Sequence, residues 1–117
     1  MAQMSIKNKP HSRITLQRQE RYKKAIKILE QLKNILIKKY GVKRIILLGS
    51  LNEPERFGFH SDIDLCVEGL KDELYFRAVG ELLMLAEDFN VDLIPLEGAT
   101  EKMKDKIKQG REIYVER

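Results

Sequence analysis

Two carboxylates on one face of a short apolar strand limit what this chain can fold into. The apolar run Ile45, Ile46, Leu47, Leu48 feeds Gly49 and Ser50. A polar loop follows, and the chain re-enters an apolar run that carries Asp62 and Asp64. Side chains alternate along a strand, so Asp62 and Asp64 point one way while Ile63, Leu65 and Val67 point the other, toward a core. Two acids about 7 Å apart on one strand face are a poor folding device, because like charges repel and raise each other's pKa. They make a good seat for a divalent cation. Further on, Val91-Asp92-Leu93-Ile94 offers a third carboxylate in another apolar run. Glycine at position 49 permits close backbone approach to a ligand. Ser50 offers a hydroxyl and a backbone N–H to phosphate oxygens if a helical turn starts there.

The rest of the chain reads as scaffold for that stretch. Residues 1–14 are polar and basic without periodicity, the pattern of a mobile arm; His11, which lies here, is not expected to bind metal or catalyse. Over 15–40, Tyr22, Ala25, Ile26, Leu29, Leu32, Ile35 and Leu36 recur at three- and four-residue steps, which predicts an amphipathic helix. Gly41 is placed as its left-handed terminator. A β-branched apolar strand covered on both faces is expected over 42–48. A second strand follows over 61–68, where Cys66 is expected as a small buried side chain and Glu68 lies outside the acidic site. A second amphipathic helix is expected over 71–89, its stripe including Leu83, with Met84 as filler. A third strand then runs over 91–96. Strand, helix and strand of this length make a parallel crossover, so Asp92 is expected beside Asp62. A short basic helix capped by Thr100 and an edge strand over 112–115 complete the chain.

Composition narrows the class. At 117 residues the chain is one domain, 15–117, long enough to bury roughly 65% of its unfolded surface. The net charge of +4 fits nucleotide partners without requiring them, and it is uneven, with the basic residues concentrated in the first forty. A single cysteine excludes an internal disulfide and points to a reducing compartment. No apolar run approaches the roughly 20 residues of a membrane span, and no apolar signal-peptide core is visible, so a cytoplasmic protein is expected.

Gly-Ser at a strand end, then Asp-x-Asp, then a third Asp on a later strand resembles the DNA polymerase β-like nucleotidyltransferase superfamily. The likeness covers about 43–117 and is nearest to the minimal nucleotidyltransferases. It implies an α/β (α+β) nucleotidyltransferase fold, a small mixed sheet with flanking helices in the order α-β-β-α-β-α-β. It implies transfer of a nucleoside monophosphate from a triphosphate, ATP by family habit, to a hydroxyl. Asp62, Asp64 and Asp92 would be catalytic and would bind one or two Mg²⁺ ions. Gly49, Ser50, Arg56 and Ser61 would bind the nucleotide. The loop over 51–60 departs from the family: Asn52, Glu53, Pro54 and Glu55 intervene and Gly58 comes late, so Arg56 takes the place of the usual phosphate-contacting cation. Minimal nucleotidyltransferases of this look are often antitoxins that adenylylate a tyrosine of an all-helical HEPN ribonuclease toxin, which makes a HEPN toxin the expected partner. Direct nucleic-acid and membrane contacts are not expected, and self-association is left open. The alternatives are a binding module that neutralises its partner by contact alone, and a free-standing transferase acting on RNA or a small molecule.

Overall fold

The computed structural model describes the chain from residue 2 to residue 117, with side chains described at residue 13 and from residue 15 onward. Met1 and the side chain of His11 lie outside the described residues. A single helix, α1 (Ala2–Lys38), precedes β1 (Arg44–Leu48), β2 (Ile63–Glu68), α2 (Tyr75–Leu85), β3 (Val91–Pro95), α3 (Glu101–Gln109) and β4 (Arg111–Val115). The expected element order holds. Residues 2–14, read from the sequence as an arm without periodicity, continue α1, which begins at Ala2. Once nucleated by the core-packed turns further on, a helix can extend without an apolar stripe, although Pro10 adds no N–H to it. The helix ends as its sequence predicts. Gly41 takes a φ of +65°, and the Val42 N–H donates to the Leu36 carbonyl at 3.2 Å.

The four strands lie in the order β3-β2-β1-β4. β1 is antiparallel to β2 and to β4, and β2 is parallel to β3. β4 thus sits at an edge, where the sequence puts it. Alternation along β1 and β2 supplies two cores. Ile45, Leu47, Ile63, Leu65 and Val67 face α1 and α2 in the larger one, which also takes in Ala25, Leu32, Leu36, Ala78 and Leu82. Ile46, Leu48 and Cys66 face the other way and pack with Ile107 of α3. β1 is therefore covered on both faces, which its unbroken apolar run requires.

The second helix is shorter than its pattern suggests. Residues 72–74 form a single 3₁₀ turn before α2, and the chain leaves the helix after Leu85. Glu87 adopts a φ of 56°, and the Phe89 N–H bonds back to the Ala86 carbonyl, so a tight turn carries Phe89 into the core. Leu83 and Met84, expected to pack, are instead 42% and 84% exposed, on the outer side of the helix with Phe76. Tyr40 closes α1 against α2 by donating its hydroxyl to Glu81 at 2.6 Å. Among the described residues, no helix is long and apolar enough to cross a membrane.

Candidate active site

Parallel register decides which carboxylates meet. Asp64 pairs with Asp92 and Ile63 with Val91, so the neighbour of Asp92 across the ladder is Asp64, not Asp62 as the sequence suggests. Asp62 stands just before β2 and is exposed. Both Asp64 and Asp92 fall on the face that carries Cys66 and Ile94, the face covered by α3. Across the antiparallel pair, Asp64 lies opposite Leu48, the last residue before Gly49. The Gly-Ser turn and the acids therefore share one end of the sheet.

Gly49 is required here by a neighbour within the protein. Its φ is +76°, and a Cβ at this position would lie 2.7 Å from Oδ2 of Asp64. Both the left-handed backbone and the seat of the carboxylate exclude a side chain. Residues 49–52 then form a 3₁₀ turn. The Asn52 side-chain amide donates to the Leu47 carbonyl at 2.6 Å, which ties the turn to the strand end. The Ser50 hydroxyl donates to Oγ of Ser61 at 2.9 Å, and the same oxygen accepts from the Gly58 N–H at 2.9 Å. Ser61 is thus the knot that closes the loop. The loop is also anchored from beneath: Leu51 and Phe57 are fully buried, and the Arg18 guanidinium donates to the carbonyls of Glu55 and Phe57.

A cavity of about 360 Å³ opens at this end of the sheet. Of the residues singled out from the sequence, Gly49, Ser50, Arg56, Asp64 and Asp92 line it, and Asp62 and Ser61 do not. Asn52, Glu53, Lys106 and Gln109, to which the sequence assigns no binding role, also line it. Lys106 was hidden among the alternating lysines of α3. Only the packing of Met103 and Ile107 against the sheet decides which lysine looks into the cavity.

Burial raises the pKa of Asp64, the charges of Asp92 and Asp62 raise it further, and the Lys106 charge opposes them. The three acids are therefore electrically coupled, as three acids at one edge must be. Among the described residues, however, no three His, Cys, Asp or Glu side chains are gathered closely enough to hold a metal ion by themselves. Asp64 and Asp92 come together across the ladder, while Asp62, one residue before the strand begins, does not line the cavity. Such a donor set, hard carboxylate oxygens without a closed cage, fits an ion that takes few protein ligands and completes its shell with water and phosphate, as Mg²⁺ does. Nearby, burial pushes the Cys66 thiol up to about 11, so it remains a packed thiol and not a nucleophile. Glu68 is paired with Arg44 at 3.1 Å, away from the site.

Residues 30–117 match the family described as polymerase beta, nucleotidyltransferase. No curated protein matches the chain. A crystal structure of a toxin-antitoxin with AMP-PNP is similar in fold, with a TM-score of 0.60 and 24% identity over 74% of this chain and 73% of that one. The toxin-antitoxin MntA-HepT matches with a TM-score of 0.55 and 21% identity over 77% and 71% of the two chains.

Proposed function

The chain belongs to the polymerase beta nucleotidyltransferase family, and on that premise we propose that it transfers AMP from ATP to a hydroxyl group of a partner protein, as an antitoxin acting on a HEPN-type toxin. The observation that carries this reading is the meeting of the Gly49-Ser50 turn with Asp64 and Asp92 at one cavity. The partner half of the reading draws its support from the toxin-antitoxin complexes of similar fold, and the choice of ATP from the one solved with AMP-PNP.

In this mechanism the turn over 49–52 receives the β and γ phosphates. The Ser50 hydroxyl proton is engaged by Ser61, so the backbone N–H of the turn is the donor left for phosphate. Asp64 and Asp92, the two acids that line the cavity, would hold Mg²⁺, which would supply positive charge between carboxylates and triphosphate that otherwise repel. Asp92 is the more exposed of the pair that meets across the ladder, and it takes the proton of the acceptor hydroxyl. The acceptor oxygen bonds to the α-phosphorus, the bond from that phosphorus to the bridging oxygen breaks, and pyrophosphate leaves. The acceptor is a tyrosine of the partner.

A second reading has one observation in its favour. Glu53 also lines the cavity and pairs with Arg56 at 3.0 Å, which sets an acid where a phosphate would approach. On that reading the chain neutralises its partner by contact alone. Incubation with α-labelled ATP, Mg²⁺ and the product of the neighbouring gene separates the two. Label on the partner, lost in Asp64→Asn, is the expected result. A stable complex that never takes label would reject transfer and leave the binding module.

A further inference from the structure

The cavity has two walls. One is the Gly49–Asn52 turn with Asp64 and Asp92; the other is the last turn of α3. A triphosphate entering between them meets the carboxylates of Asp64, Asp92 and Glu53 and needs more positive charge than a single divalent ion brings. Two basic side chains reach the cavity, Arg56 and Lys106. Arg56 sits on the exposed loop, its side chain 73% accessible, and its guanidinium is already bound to Glu53 three residues before it. Lys106 has no ion pair among the described residues. The other lysines of α3 are excluded in turn: Lys104 is bound to Glu101 at 3.1 Å, and neither Lys102 nor Lys108 lines the cavity.

The backbone beneath Lys106 is also held firmly. Ile107 is buried against Ile46, Leu48 and Cys66. At Gly110 a Cβ would come within 2.9 Å of the Leu47 carbonyl, so the end of α3 lies directly on the strand that delivers Gly49. The turn and the end of α3 are thus both held at the same end of one strand.

We infer that Lys106 is the side chain that meets the triphosphate of the bound nucleotide, in the role that the sequence assigns to Arg56. The assignment rests on the proposed use of ATP and specifies a binding residue for it. Lys106 supplies a point charge to the phosphates and takes no part in bond making.

Calorimetric titration of the full chain with MgATP and with adenosine tests this. Lys106→Met is expected to weaken MgATP by about tenfold or more, the loss of one charge-assisted contact, and to leave adenosine binding within about twofold. Lys106→Arg should recover most of the loss, and Lys108→Met, which removes the same charge from the same helix, should bind MgATP like the parent. Lys106 is exposed, so equal melting temperatures will show that each variant is folded. Unchanged MgATP affinity in Lys106→Met, or a larger loss in Arg56→Met, would overturn the assignment while leaving the function intact. A parent that binds no MgATP would overturn both.

Discussion

Asp64 is the residue on which stability and the proposed function pull in opposite directions. It is half-buried, and burial, then Asp92, then Asp62, raise its pKa. A carboxylate whose pKa is higher folded than unfolded costs stability at every pH above the raised value. The cost disappears as pH falls below the unfolded value near 3.8. We predict that Asp64→Asn in EDTA melts at or above the parent at neutral pH, and that the gap closes as the pH is lowered toward 4. In Mg²⁺ and ATP the order should reverse, because the variant has lost a ligand. Thermal melts of both proteins across pH, with and without Mg²⁺ and ATP, check it. A variant melting well below the parent in EDTA would mean that Asp64 is kept for a structural bond. Gly49 belongs to the same unit, since its missing Cβ is the space that Oδ2 of Asp64 occupies.

At the scale of elements, the loop over 51–60, read from the sequence as a departure from the family pattern, is where the structure adds most. Its acidic tip is exposed, yet its two ends are anchored. Phe57 is fully buried, with its ring centroid 5.9 Å from that of Tyr22 in α1 and 6.1 Å from that of Phe89. Ser61 gathers the hydroxyl of Ser50 and the N–H of Gly58. The loop is thus part of the core through one aromatic residue, and α1 braces it through Arg18. We predict that Phe57→Ala costs about 3–5 kcal/mol, as for a large ring removed from a packed core, and that it weakens MgATP because the Ser50 turn loses its support. Urea unfolding measures the first effect. A cost below about 1 kcal/mol, within the range of an ordinary surface change, would show that the loop stands without this anchor.

The whole molecule measures 59 × 29 × 25 Å, and α1, at 37 residues, accounts for most of the long axis, about 55 Å at 1.5 Å per residue. The site is at one end of the sheet, and it draws on the Gly49–Asn52 turn, β2, β3 and α3. Ligand binding there should therefore be felt by the entire fold. At a hundredfold excess of MgATP over its Kd the gain is about 2.7 kcal/mol, which for a domain near this size raises Tm by roughly 10 °C or more. We predict that shift with Mg²⁺ and ATP together and little with ATP in EDTA. Equal shifts in both buffers would reject a cation-bridged site.

Much of this was legible in the residues because local rules suffice for it. The period of the apolar positions over 22–36 marks α1, the alternation around Asp62 and Asp64 sets those acids off the core face, and Gly41 and Thr100 mark helix ends with their own chemistry. Asp62, Asp64, Asp92, Gly49 and Ser50 could accordingly be singled out before any fold was known, and Arg56 and Ser61 by the family resemblance; all but Asp62 and Ser61 line one cavity. Three things were not legible there. The partner of Asp92 depends on the parallel register between β2 and β3, a contact between residues 28 apart in sequence, and a shift of two positions preserves every face while changing which acids touch. The orientation of Lys106 depends on how α3 is rotated on the sheet, which Ile107 and Met103 decide by packing. The reach of α1 back to Ala2 was invisible, because a helix that extends beyond its core contacts carries no periodic signature. Local chemistry sets what each residue is able to do. Which residues meet is set by long-range packing, since only burial across the whole sheet selects one register and one helix rotation over the alternatives.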